Sequence, residues 1–331
     1  MASSRVVVAS SLLARRGLLP ACQRPTAATA AAAFRGLSTS TAALGDNEVA
    51  LNILAAPVTA ADMGSKSPAG AEGVGIVTAV GSKVKGLAVH DWVVPTSGSV
   101  PTFRSAAKAK ESDLAKVPSD IPVEFAACMG TALTALWLLS GVKGGEYVLQ
   151  ADADSPVGLA VIQIAQARGV GTINIVADAP GFFDKAGLIK DLGGDVVVKD
   201  TYATGNAGFA KILSELPKPS LALAATEAGA AVVGKVGGGA KATMYAAAGE
   251  SGLKKATAAE IEVAAGMFRS GALQVWVERH PFSDLPMALK EASEPYKTRK
   301  VVLMMNELLK PKVDAAKLSA EFEKAFQKLK A

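Results

Sequence analysis

The chain is poor in the residues that most often carry chemistry. It has two cysteines and two histidines in 331 residues. Cys22 falls in the first segment and Cys128 stands alone in an apolar stretch, so no internal disulfide of a processed chain and no cysteine-held metal can be drawn. A buried packing thiol is the reading for Cys128. His90 and His280 are far apart and show no cysteine or carboxylate companion at ligand spacing, so no metal site is expected and both read as surface residues. Neither a Gly-x-Ser-x-Gly elbow nor a phosphate-binding Walker loop occurs. The three tryptophans, Trp92, Trp137 and Trp276, and Tyr245 lie within apolar segments and read as core. Long apolar runs are scarce too. Phe125 to Val142 is 18 residues without a charge, just inside the about 17–25 that can span a bilayer. Gly130, Thr131, Thr134, Ser140 and Gly141 interrupt it, so a buried core helix is expected and no transmembrane segment.

Acidic residues are missing from the start. Residues 1–37 carry Arg5, Arg15, Arg16, Arg24 and Arg35, and the first acid is Asp46. A Ser-, Ala- and Arg-rich leader with interleaved apolar residues has the composition of a mitochondrial or plastid transit peptide, and Arg35-Gly36-Leu37 before Ser38 resembles a matrix-peptidase site. The expected location is the mitochondrion, in the matrix or on the matrix side of the inner membrane. The formal charge of +5 comes from this leader: without its five arginines, 30 basic residues face 30 acidic ones. A neutral body gives no support for a nucleic-acid partner.

From about Gly144 the chain alternates two patterns. EYVLQA (146–151), GTINIVA (171–177), DVVVKD (195–200), SLALAA (220–225) and ATMYAAA (242–248) read as strands buried on both faces. Stretches of helical length closed by Gly or Pro lie between them. Such alternation predicts an α/β, Rossmann-type doubly wound parallel sheet over residues 124–270. Residues 46–123, with GVGIVTAVGSKV and DWVVPT, read as a small antiparallel β unit. Residues 271–305 return the chain toward that unit. Residues 306–331 space Leu318, Phe322, Phe326 and Leu329 as an amphipathic helix that could cover its own domain or dock on a partner.

The stretches AEGVGIVTAVGSKVKGLAVHDWVVP (71–95), KVPSDIP (116–122), SPVGLAVIQIA (155–165) with TINIV (172–176), and LPMALKEASEPYKTRKVVLMM (285–305) resemble the mitochondrial 2-enoyl thioester reductases of the medium-chain dehydrogenase/reductase superfamily. The resemblance implies a truncated GroES-like β domain beside the nucleotide-binding one, and hydride transfer from NADPH to an enoyl thioester assisted by a tyrosine.

Carried over residue by residue, that chemistry fits badly. The loop expected to hold the tyrosine is the short MGSKSPAGA (63–71), which has none. The cofactor loop reads Asp152, Ala153, Asp154, Ser155, Pro156, Val157, Gly158. A helix start attracts phosphate through free amides and its dipole, but Pro156 has no amide. An aspartate about 5 Å from a phosphate charge costs up to about 3 kcal/mol at an effective dielectric near 20. Where the family has arginines for the 2′-phosphate, this chain has Ala177-Asp178-Ala179, with no cation. The family's Asn-Pro is replaced by Thr131-Ala132-Leu133, and its glycine-rich strand end by Ala224-Ala225-Thr226-Glu227. The segment that carries substrate and dimer contacts shrinks to residues 249–260.

The expectation is therefore a catalytically degenerate member, with no catalytic residue and no cofactor, acting as an accessory subunit of a mitochondrial assembly, possibly a respiratory-chain complex, or as a homodimer. The alternative is an active NADPH- or NADH-dependent reductase. Its nucleotide contacts would be Ser155, Val157, Gly158 and Asp178, the last 20 residues after Gly158, where an acid can bond a ribose hydroxyl. Tyr245 or Thr131 would replace the missing tyrosine.

Overall fold

The computed structural model describes residues 44–58, 62, 69–96, 100–237, 242–245, 256–293 and 298–305. The leader and the amphipathic stretch 306–331 lie outside the described residues. Two sheets carry the fold. The first comprises β1 (Glu48–Pro57), β2 (Val74–Val80), β3 (Trp92–Pro95), β4 (Ala106–Lys110), β5 (Leu114–Val117), β11 (Val277–Pro281) and β12 (Lys300–Met304). Its order is β11-β12-β1-β2-β3-β5, with β4 also pairing β1. All of its pairings are antiparallel except β11 with β12. Residues 277–304 thus rejoin the strands of residues 48–117. Val49, Leu51, Ile53, Val77, Val93 and Leu114 fill its core.

The second sheet is parallel throughout, in the order β10 (Thr243–Met244), β9 (Leu221–Ala224), β6 (Tyr147–Gln150), β7 (Gly171–Val176), β8 (Val196–Lys199). Each strand expected from the apolar runs is present, trimmed at its ends. The helices are α1 (Val123–Ala127), α2 (Met129–Leu138), α3 (Pro156–Ala167), α4 (Phe182–Asp191), α5 (Asp200–Gly205), α6 (Ala207–Glu215), α7 (Glu227–Val236), α8 (Ala258–Ser270) and α9 (Leu285–Ala292). Strand order reverses between β6 and β9, so a crevice opens beyond their carboxyl ends, where open α/β sheets bind ligands.

The uncharged stretch 125–142 forms α1 and α2, broken at Cys128, and no helix among the described residues is long and apolar enough to cross a membrane. Trp137 corrects an expectation: it ends α2 with 51% of its surface exposed, outside the core. Tyr245 is 3% exposed and does belong to it.

Candidate functional site

The crevice edge is built by three segments: the turn from β6 into α3, the turn from β9 into α7, and Tyr245 after β10. Ser155 is the N-cap of α3 in extended backbone, and its Oγ accepts the Gly158 amide at 3.1 Å. Tyr245 Oη lies 3.1 Å from the same Oγ. Burial first, and the aspartates nearby, hold the Tyr245 hydroxyl well above the usual tyrosine range, although its bond to Ser155 pulls the other way. It is a neutral hydroxyl sealed against the helix start.

The two aspartates of the loop are engaged within the protein. Asp152 adopts φ 54°, a left-handed conformation that aspartate tolerates better than most residues. From there a single oxygen, Oδ2, accepts the amides of Ala225 and Thr226 and the Thr226 hydroxyl, at 2.9–3.0 Å. Thr226 in turn caps α7. Asp152 therefore staples the first crossover turn to the fourth strand's turn, across the mouth of the crevice. Asp154 is buried and pairs with Lys185 of α4 at 2.6 Å. Gly158 is required for packing: a Cβ there would stand 2.7 Å from the Ala153 carbonyl oxygen. Val157 is 2% exposed.

Asp178, at the end of β7, is bound by Lys199 at 2.7 Å and by the Thr201 hydroxyl at 2.9 Å. Lys199 first, then Thr201, lower its pKa. The expectation of no cation beside residues 177–179 is corrected here. Lys199 stands next to Asp178 and over the Phe182 ring, and Lys185 lies next to Asp154. These lysines were missed because they come from other helices and strands, and a pairing 31 residues away leaves no local pattern. Both are already committed to carboxylates. Of the nucleotide contacts named above, Ser155, Val157 and Gly158 share the α3 start while Asp178 closes a separate ion pair one strand over.

The replacement candidate Thr131 points elsewhere. It accompanies a buried pair, Lys300 of β12 with Glu72 before β2, 2.5 Å apart and 228 residues apart in sequence; Lys300 also donates to the Thr131 hydroxyl at 3.1 Å. Burial works against the charge on Lys300, yet Glu72 and then Cys128 outweigh it and hold its pKa raised. His280 corrects another expectation. Its ring meets Glu291 at 2.9 Å, with Glu278 within reach, and its side chain is only 11% exposed. The alternation Glu278-x-His280 was the available signal, since residues two apart on a strand share a face.

Several groups at this edge that could meet a dinucleotide are engaged within the protein. Pro156 offers no amide, the Gly158 amide is taken by Ser155, Tyr245 abuts the cap, and Lys185 and Lys199 are each paired with a carboxylate.

No protein-family model matches the chain. Among curated proteins it is 39% identical over 196 residues to the mitochondrial enoyl-[acyl-carrier-protein] reductase of Dictyostelium discoideum, covering 54% of this chain and 56% of that protein. To the human protein of the same name it is 36% identical over 197 residues, covering 55% and 52%. The chain spans about half the length of the curated relatives it matches. In structure it is similar to a mutant form of the enoyl thioester reductase from Candida tropicalis, with a TM-score of 0.64 and 19% identity, over 81% of this chain and 93% of that one. It is also similar to the Escherichia coli quinone oxidoreductase complexed with NADPH, TM-score 0.59 and 22% identity, over 81% and 94%.

The fold is that of the medium-chain dehydrogenases/reductases, a Rossmann-type sheet beside a GroES-like β unit. Among curated proteins the similarity is to mitochondrial enoyl-[acyl-carrier-protein] reductases, and the mitochondrial location read from the leader agrees with their names.

Proposed function

We propose that this chain is a mitochondrial enoyl reductase relative that works without hydride transfer, its nucleotide crevice closed by its own side chains, and that it serves as an accessory subunit of a larger assembly. One observation carries the reading: Tyr245 Oη sits on the Ser155 cap at 3.1 Å, where the phosphates of a dinucleotide would need the helix start. Asp152 bridging to Ala225 and Thr226 supports it, since that staple crosses the same opening. What the chain would offer an assembly is a rigid two-sheet scaffold. The amphipathic stretch 306–331 is the segment suited to docking.

A second reading, an active NADPH-dependent 2-enoyl thioester reductase, is favoured by the relatives. The curated proteins named above are all reductases, and they speak for activity more directly than for an accessory role. One solved neighbour is a complex of such a reductase with NADP and crotonyl-CoA, and another pairs two reductase chains as a heterodimer. On this reading Tyr245 would swing away to expose Ser155, and a homodimer is the expected assembly.

Titration of the leader-free chain with NADPH and NADH, followed by nicotinamide fluorescence, separates the two. No saturation at millimolar cofactor is the outcome expected of a closed crevice. A dissociation constant in the low micromolar range, about −8 kcal/mol of binding, would overturn it in favour of the reductase. Size-exclusion chromatography of mitochondrial extracts checks the partnership, and elution as a free monomer or dimer counts against a subunit role.

A further inference from the structure

We propose that Glu278, His280 and Glu291 form a binding site for a divalent transition-metal ion, Zn2+ being the ion to try first. Glu278 and His280 alternate on β11 and so project from one face of the strand. Glu291 comes from α9, which follows after one 3-10 turn at Phe282–Asp284. The helix cannot drift from the strand. Leu285, Ala288, Leu289 and Ala292 bury its apolar side in a cluster with Val301 and Leu303 of β12, and β12 pairs β11 in register, His280 beside Leu303. The intervening Arg279 pairs with Glu124 of α1, as strand alternation requires.

One imidazole nitrogen and two carboxylate oxygens converge with all donor atoms within 4.8 Å of one another. His280 Nε2 and Glu291 Oε2 are 2.9 Å apart. Bonds of about 2.0–2.1 Å in tetrahedral geometry place donor atoms about 3.3 Å apart, inside the interval set by those two distances. A mixed nitrogen and oxygen set of this kind suits Zn2+, Mn2+ or Co2+ better than Mg2+, which favours oxygen and water alone. His280 is 11% exposed and Glu291 24%, so the site is shielded on most sides yet leaves room for water to complete the shell. Metal binding would displace the hydrogen bond between Nε2 and Glu291. The site lies on the first sheet, so it would clamp α9 to the edge strand rather than take part in chemistry at Ser155.

The test uses untagged, leader-free protein stripped with a chelator. That chain keeps both histidines, His90 and His280, so assignment is simple. Titration with Zn2+ by calorimetry and with Co2+ by visible absorption is expected to show one ion per chain at micromolar affinity or better. Cobalt d–d bands and a rise in the midpoint of thermal unfolding should accompany it. His280→Gln, Glu278→Gln and Glu291→Gln should each weaken binding about tenfold or more, whereas His90→Asn should leave it unchanged. Should a substituted chain fail to fold, the wild-type cobalt spectrum still decides. Absence of imidazole-ligated d–d bands in the wild type, binding only at millimolar metal, or unaltered affinity in folded His280→Gln protein would each overturn the proposal.

Discussion

Tyr245 and Ser155 are 90 residues apart in sequence and share a hydrogen bond of 3.1 Å at the start of α3. The bond joins the last strand of the parallel sheet to the first crossover, and the tyrosine that makes it is 3% exposed. An N-cap that already holds the Gly158 amide thus gains a second partner from inside the protein.

Tyr245 should ionise late in an alkaline titration. Its folded pKa is raised above the unfolded value of about 10, chiefly by burial. A group that holds its proton more tightly when folded contributes stability fully below the unfolded pKa and loses that contribution as pH rises above it. Phenolate absorbance during alkaline titration should therefore show a late step that coincides with unfolding. Tyr245→Phe should abolish that step and cost about 1 kcal/mol in urea melts for the lost hydrogen bond. An early, complete titration of all tyrosines would show that Tyr245 is not sealed.

Asp152 should matter to stability more than a loop aspartate ordinarily does. Its Oδ2 receives three donors from the β9 turn, and its φ of 54° is costly for most side chains. Asp152→Ala strands the part-buried Ala225 amide and leaves Ala in a left-handed conformation, so a loss of about 2–3 kcal/mol is expected. Asp152→Asn keeps an acceptor and tolerates the backbone, so about 1 kcal/mol is expected. Equal stability of the Ala and Asn proteins in denaturant melts would mean the staple does not hold in solution.

How much of this could be read from the sequence depends on how local the cause is. The apolar runs at 146–151 and 171–177 and the Gly-terminated helices between them are period patterns, and they place β6, β7 and α3 within a few residues. Helix α5 escaped because DTYATG is too short to show a period. Of the strand expected over 242–248, Thr243 and Met244 form β10 against β9, and residues 246–248 lie outside the described residues. At the site, the departures at Asp152, Asp154 and Pro156 were legible because they fall inside one turn. Their consequences were not. Lys185 neutralises Asp154 across 31 residues, Thr226 donates to Asp152 across 74, and Glu291 reaches His280 only because a turn and a helix fold back on β11.

Cys128 should be inert in the folded chain. It is wholly buried at the break between α1 and α2, and burial above all pushes its thiol up to about 12, despite the opposing pull of Lys300. The thiolate is the reactive form, so a disulfide reagent should label no cysteine of the leader-free native protein and one cysteine after denaturation. Its contribution to stability should be intact below pH 9, its ordinary value, and decline as pH rises toward about 12. Rapid labelling at neutral pH would place the thiol at the surface.

Lys300 and Glu72 offer the sharpest test of how the first sheet is tied to α2. The ammonium is 7% exposed and the carboxylate 1%, and Thr131 of α2 supplies the second acceptor for Lys300. Removing one partner leaves the other charged and buried, at a cost of about 3–5 kcal/mol, whereas removing both exchanges an ion pair for apolar contact and can be nearly neutral. Lys300→Met should therefore be strongly destabilised, Glu72→Gln similarly so, and the double variant much less than the sum of the two. The raised pKa of Lys300 adds a direction: its share of stability is present below the unfolded lysine value near 10.5 and fades as pH rises through the folded one. A double-mutant cycle at neutral pH with additive effects would show that Lys300 and Glu72 do not depend on each other, and the pair would then have to be solvated rather than buried.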